Sequence, residues 1–162
     1  MAAEATGSSR AELRLKDLDA TARLARRLAR AARPGDMIGL SGDLGAGKTT
    51  LARAFLNALG DRGEVPSPAF TLVQGYDLGT VRVWHFDLFR LDRPEETVEL
   101  GFEDALADGI CLVEWPERLG DLLPRDRLEV ALFHGDREEE RRARLTARGN
   151  WTSRLAKVAS DG

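Results

Sequence analysis

The chain is poor in cysteine, has no excess of basic residues and contains no long hydrophobic run. Each shortage excludes a class of protein. Its one cysteine, Cys111, cannot close an internal disulfide, and its place in an apolar run fits a buried core thiol. A formal net charge of −3 argues against a dedicated nucleic-acid binder, because a basic excess supplies most non-specific affinity for phosphate backbones. No apolar stretch approaches bilayer-spanning length and no hydrophobic signal region stands at the N-terminus. No membrane association and a cytoplasmic location are therefore expected. Internal repeats and low-complexity linkers are lacking too, so nothing divides the chain. What is present is an ordinary globular composition, 43% apolar and 31% charged over 162 residues, enough for one core. A single domain is expected over residues 11–158, behind a mobile tail of small and polar residues, 1–10.

The most informative stretch is Asp36 to Gly60, which reads as strand, loop and helix. Met37, Ile38 and Leu40 form a short apolar run, and apolar residues recur at 51, 55, 56 and 59. Between them, Gly42 to Thr49 (GDLGAGKT) fits the phosphate-binding pattern G-x-x-x-x-G-K-[ST] without a mismatch. Glycines at 42, 45 and 47 admit backbone conformations closed to other residues, so successive N–H groups can point at a polyphosphate. The helix beginning near Lys48 adds its positive dipole end. Lys48 is then placed to reach the β- and γ-phosphates, and the Thr49 hydroxyl to ligate the accompanying Mg²⁺.

In chain order, a short strand is expected at Ala11 to Leu15. A helix follows over Ala20–Ala32, with Asp19 as its N-cap and Pro34-Gly35 as its stop. Arg23, Arg26, Arg27 and Arg30 make a stripe on it that suits an acidic partner or tRNA, or more simply a solvated basic face. Two prolines constrain the loop at Gly63 to Ala69. Phe70–Tyr76 and Val81–Asp87 then read as a hairpin that leaves Asp87 at a strand end, with His85 on the same side as an orienting or core residue rather than a base. Helical patterns begin near Arg93 and at Phe102. Gly109 to Glu114 reads as a buried parallel strand delivering one carboxylate, like the second acidic element of phosphate-loop proteins. At a strand's C-terminal end Glu114 can hold Mg²⁺ through water or orient an attacking water. Leu128–His134 and Glu140–Ala147 read as strands around a charged turn, followed by a short helix capped by Asn150. That turn is a solvated hairpin tip, or else brings Arg141, Arg142 or Arg144 to a phosphate.

The phosphate loop alone says only nucleoside triphosphate. The N-K-x-D and D-x-x-G sequences of GTPases are absent. A small-molecule kinase is the serious alternative, with the arginine-rich stretch 137–148 as a lid over the phosphates. Other motifs carry a resemblance. Gly42 to Thr50 (GDLGAGKTT), Ser67 to Leu72 (SPAFTL), His85 to Arg90 (HFDLFR), Glu95-Glu96 before Leu100-Gly101, and Cys111 to Pro116 (CLVEWP) stand in the order and spacing of the TsaE family. The family resembled is the bacterial ATPase required for threonylcarbamoyladenosine (t⁶A) in tRNA, and the resemblance spans about residues 15–150.

That resemblance implies a phosphate-loop α/β fold, with a mixed, mostly parallel sheet, an antiparallel hairpin and flanking helices. It also implies a Mg²⁺-dependent ATPase whose partners are the transferase TsaD and its paralogue TsaB, with tRNA reached only indirectly. The phosphate cradle falls on Gly45, Ala46, Gly47, Lys48, Thr49 and Thr50, joined by Arg141. Thr49, Glu114 and Asp87 fall at the metal, and Lys48, Glu114 and Asp87 at the chemistry. Ser67, Thr71, His85, Arg90 and Trp115 fall on a nucleotide-sensing, partner-facing surface. Two departures stand out: Ala69 where S-P-T is usual and Phe89 where H-x-D-x-Y-R is usual.

Overall fold

The computed structural model describes residues 8–43, 45–60 and 72–160. In chain order the elements are β1 (Ser8–Leu15), α1 (Leu18–Ala31), β2 (Met37–Ser41), α2 (Lys48–Ala58), β3 (Val73–Asp77), β4 (Arg82–Asp87), α3 (Glu96–Glu99), α4 (Phe102–Asp108) and β5 (Ile110–Glu114). A 3₁₀ segment at Pro116–Leu122 leads to β6 (Arg127–His134), β7 (Arg141–Arg148), a 3₁₀ turn at Gly149–Trp151 and α5 (Leu155–Ala159). The result is an α/β fold built on a seven-stranded mixed sheet in the order β1-β7-β6-β2-β5-β4-β3.

The parallel part is β6-β2-β5-β4, with β2 next to β5. Antiparallel strands close both sides of it: β3 on β4, and β7 followed by β1 on β6. Antiparallel pairing is thus more extensive than a mostly parallel sheet with one hairpin, because β1 joins β7 at the far edge. The kinase-lid expectation fails for the same reason: Arg141–Arg148 is a strand held on both sides, not a mobile cover.

Several boundaries move. β1 begins at Ser8, so residues 8–10 of the expected tail belong to the sheet, where Ser8 pairs with Arg148. The N-cap of α1 is Asp17, not Asp19. Asp17 has the extended backbone of a cap and its carboxylate accepts the Ala20 N–H at 2.8 Å, whereas Asp19 lies inside the first turn beside the positive helix end. Asn150 caps no helix, since its own N–H donates to Asp126 and its side-chain oxygen accepts from Arg154. The β3–β4 hairpin forms as expected over its described part, while residues 70 and 71 of the anticipated strand lie outside the described residues.

Apolar spacing decides which face of the sheet each helix covers. On one face α1, α2 and α5 bury Leu24, Leu28, Leu51, Phe55 and Val158 against Ile38, Leu40, Leu112 and Leu145. On the other, α4 and the 3₁₀ segment bury Phe102 and Leu119 against Met37, Phe86, Cys111 and Val113, with Phe86 and Phe102 edge to face at 5.5 Å. Cys111 is the inert core thiol expected, its ionisation pushed up to about 12 by burial and, secondarily, by Asp108.

One buried ion pair ties the base of the fold together. Both Arg154 and Asp36 are nearly inaccessible, and the guanidinium meets the carboxylate through two bonds of 2.7 and 3.0 Å. Arg154 also donates to the Ala31 carbonyl and stacks on Trp151 at 3.8 Å, joining the end of α1, the start of β2 and the C-terminal elements. Removing one member strands a buried charge. Arg154→Ala is expected to cost about 3–5 kcal/mol, read as a lowered urea midpoint, whereas Arg144→Ala at the exposed pair with Glu12 should cost under about 1 kcal/mol.

Candidate functional site

Three adjacent strands end together. In register, Leu40 of β2 lies beside Glu114 of β5, and Glu114 beside Asp87 of β4. Side-chain alternation turns Glu114, Asp87 and His85 toward the face that carries α2. The chain leaves β2 through the glycine loop and re-enters a helix at Lys48, directly over these carboxylates.

Glycine is required at two places in that loop. At Gly42 φ is +135° and a Cβ would stand 2.4 Å from the Leu132 carbonyl oxygen; at Gly47, the residue before α2, φ is +105°. The resulting turn places the Lys48 side chain inward. Lys48 is buried, and its Nζ donates to the Gly42 carbonyl at 2.6 Å and the Asp43 carbonyl at 3.0 Å. Its ammonium also sits 4.6 Å from the centre of the Trp115 ring.

Trp115 reaches that position through a left-handed backbone, φ 60° and ψ 53°, uncommon for a residue with a side chain. The bend swings the indole back across the site and against Phe89, with ring centroids 4.9 Å apart. Leu72, whose carbonyl accepts the Asp87 N–H at 2.9 Å, has φ 64°. The two non-glycine residues with left-handed backbones among those described both line this cleft.

The cleft has a volume of about 370 Å³, within the range of small-molecule sites. Gly45, Gly47, Lys48, Thr49 and Thr50 form one wall and Asp87, Phe89, Arg90, Glu114 and Trp115 the other. Arg141 enters from the start of β7 and grips the loop from outside, donating to the Ala46 carbonyl at 3.0 Å and the Gly45 carbonyl at 3.3 Å. Strand alternation separates it from Arg142 and Arg144, which are exposed on the opposite face.

Beneath the cleft, His85 and Glu114 are both buried and share a 2.7 Å hydrogen bond. When His85 Nε2–H donates to the Glu114 carboxylate, Nδ1 is left as a buried lone pair with no partner among the described residues. His85, read from its residues as an orienting or core side chain and by resemblance as part of the partner-facing surface, is fully inaccessible and hydrogen-bonded to Glu114. Asp87 is half-buried and accepts the Phe89 N–H at 3.1 Å. Burial raises its pKa most, and the nearby Glu114 adds to this, against the Phe89 N–H, His85 and Lys48.

Most of the expected site residues converge here. Ala46 is buried beneath the loop, and Arg90 is exposed at the rim. Ser67 and Thr71, like the departure at Ala69, lie outside the described residues. Leu72 and Phe89 were not anticipated as cleft walls: they stand in the SPAFTL and HFDLFR motifs, but their residue types do not announce that they line the cleft.

A family model described as "Threonylcarbamoyl adenosine biosynthesis protein TsaE" matches residues 15–143. The chain belongs to the TsaE family. Among the relatives of this TsaE-family chain, the tRNA threonylcarbamoyladenosine biosynthesis protein TsaE of Bacillus subtilis is 37% identical over 80% of this chain and 81% of that protein. The protein of the same name from Haemophilus influenzae is 43% identical over 70% and 72%. The crystal structure of Bacillus subtilis YdiB superposes with a TM-score of 0.79 at 31% identity, covering 94% of this chain and 96% of that one. Phe89, where tyrosine is the family expectation, keeps the ring that packs on Trp115 and lacks only the hydroxyl.

The raised pKa of Asp87 fixes the sign of a stability effect. The folded chain holds this proton more tightly than the unfolded chain, so stability is lost as pH rises above about 3.8 and the carboxylate ionises. Asp87→Asn keeps the acceptor for Phe89 N–H without the charge. It should raise the thermal midpoint of nucleotide-free protein at pH 7 and give a smaller gain at pH 4.5.

Proposed function

We propose that this chain is a Mg²⁺-dependent ATPase that supports t⁶A formation in tRNA by docking on the TsaD–TsaB pair and resetting it. In this reading tRNA is reached only through that pair and the setting is the cytoplasm. The observation that carries the proposal is the position of Lys48, buried at a helix start inside a left-handed glycine loop and facing Glu114 and Asp87 across one cleft.

Lys48 donates to two neutral carbonyls of its own loop, and exchanging them for anionic phosphate oxygens pairs its ammonium with opposite charge. The first turn of α2 offers backbone N–H groups without helical acceptors, along with the positive dipole end. Arg141 steadies the loop by donating to the Ala46 and Gly45 carbonyls. Thr49, Asp87 and Glu114 supply only oxygen donors, which fits a hard cation. Among the described residues no cluster of three His, Cys, Asp or Glu surrounds a metal position, and Mg²⁺ needs none, since it is held by one or two carboxylates, water and the substrate's phosphates.

Thr49, Asp87 and Glu114 would hold Mg²⁺, which when bound would supply positive charge against that of the phosphates. Glu114, fixed by His85, accepts a hydrogen bond from a water and aims it at the γ-phosphorus, and Lys48 stabilises charge as the bond to the bridging oxygen breaks. The products are ADP and phosphate. Trp115 and Phe89 limit water at that position. Loss of the γ-phosphate releases the contacts that hold the cleft rim, which is how hydrolysis resets a docked partner.

Calorimetry should detect Mg·ATP binding that Lys48→Ala weakens by about 10- to 100-fold, the loss expected for a charge-assisted contact. Glu114→Gln should bind Mg·ATP yet fail to restore t⁶A synthesis when added back to purified TsaD–TsaB, tRNA and the remaining components. Full restoration by either variant, or no heat with wild type, counts against the proposal. Because Trp115 lies on Lys48 whereas Trp84 bonds Asp108 and Trp151 is in the core, Mg·ATP should change tryptophan emission in wild type and not in Trp115→Phe.

A further inference from the structure

Strand β2 carries a glycine at its centre, Gly39, where glycine weakens a strand and offers no side chain to pack. Its backbone is that of an ordinary strand, so no left-handed turn calls for it. What calls for it is space. A Cβ at this position would stand 2.9 Å from Cγ and 3.0 Å from Cβ of Pro116, closer than side chains pack, whereas its next neighbour, the Met37 methyl at 3.4 Å, can swing away. Pro116 is buried and opens the 3₁₀ segment that follows Trp115.

Trp115 is thereby tied to β2 at both of its peptide bonds. Its N–H donates to the Leu40 carbonyl at 3.1 Å, and the residue after it rests on Gly39. Proline has one backbone rotation locked, so its ring cannot leave the strand without turning the peptide bond it shares with Trp115. Between these anchors Trp115 takes φ 60° and ψ 53°, a conformation that persists in a residue with a side chain only where its surroundings impose it. The left-handed bend brings the indole to 4.6 Å from the Lys48 ammonium and sets its ring 4.9 Å from that of Phe89. A ring face attracts an ammonium without occupying its N–H donors, so the indole can hold Lys48 in the cleft while those donors stay available to a phosphate.

We infer that Gly39 and Pro116 are positioning residues for the nucleotide cleft: the bare site on β2 seats the proline ring, the seated ring sets the bend at Trp115, and the bend holds the indole on Lys48. The effect on nucleotide rests on the Mg·ATP reading above; the placement of the indole does not. Neither Gly39 nor Pro116 lines the cleft, so any effect on nucleotide is transmitted through Trp115. A glycine kept only for close packing would, if enlarged, cost stability and leave the Lys48 side of the molecule unchanged.

The test uses the full chain labelled with 5-fluorotryptophan, in which Trp115→Phe identifies one of three fluorine lines. In nucleotide-free protein, Gly39→Ala should shift the Trp115 line and leave those of Trp84 and Trp151 in place. By calorimetry it should weaken Mg·ATP binding about three- to tenfold, the range of a lost ammonium–indole contact, and have less than about a twofold effect when introduced into Trp115→Ala. Pro116→Gly approaches the same contact from the other side. It should also shift the Trp115 line, and Gly39→Ala/Pro116→Gly should match Pro116→Gly alone in line position and urea midpoint. An unmoved Trp115 line in Gly39→Ala, an undiminished effect of Gly39→Ala in Trp115→Ala, or additive losses in the double variant overturns the inference. Should Gly39→Ala fail to fold, the double variant decides: recovery of the fold with the Pro116→Gly spectrum upholds the inference, and no recovery overturns it. Should wild type give no heat with Mg·ATP, the nucleotide reading falls, and the fluorine lines still decide the placement of Trp115.

Discussion

Register across β2, β5 and β4 is the constraint on which the site depends. Leu40, Glu114 and Asp87 are neighbours only because three parallel strands start and stop in step, and a slip of one residue would turn both carboxylates to the opposite face. The apolar residues enforce the alignment. Ile38 and Leu112 face α2 while Met37, Cys111 and Val113 face α4, so the alternation that fills two cores also aims the acids.

Several features at the cleft run against stability. Lys48, His85 and Glu114 are buried, Asp87 ionises in a partly desolvated position, and Trp115 and Leu72 hold backbones that side chains disfavour. Costs of this kind persist where surrounding structure over-determines them. Here the surroundings are rigid: β5 is buried along its whole length, and the Asp36–Arg154 pair locks the opposite end of the same layer. Stability is concentrated at the base of the sheet and spent at its top, as expected of a preorganised site.

Much of this was legible in the sequence because local rules and tertiary needs agreed. The glycine loop, the apolar strand ending in Glu114, the hairpin ending in Asp87 and the buried thiol each follow from residue type and period alone. What could not be read depends on distant partners. Asp17 and Asp19 are equivalent as cap candidates until the entry of the chain from β1 is known, and Arg141 differs from Arg142 only in facing the loop after β2. The contact of Trp115 with Lys48 required a left-handed bend that no residue announces. His85 reads from its residues as an orienting or core side chain, and its burial against Glu114 agrees with that rather than with the surface position the resemblance implied.

The pairing of β1 with β7 has a bearing on how the molecule is made. Ser8 lies opposite Arg148 and Leu15 opposite Arg141, so among the described strands the first in chain order has the last as its one neighbour in the sheet. Until β7 emerges, β1 has an unfilled ladder, and its capture closes a loop containing nearly every other element. A chain in which β7 has yet to pair leaves this edge open to mispairing, and β1 carries charged residues, such as Arg10, Glu12 and Arg14, of the kind that blunt open strand edges.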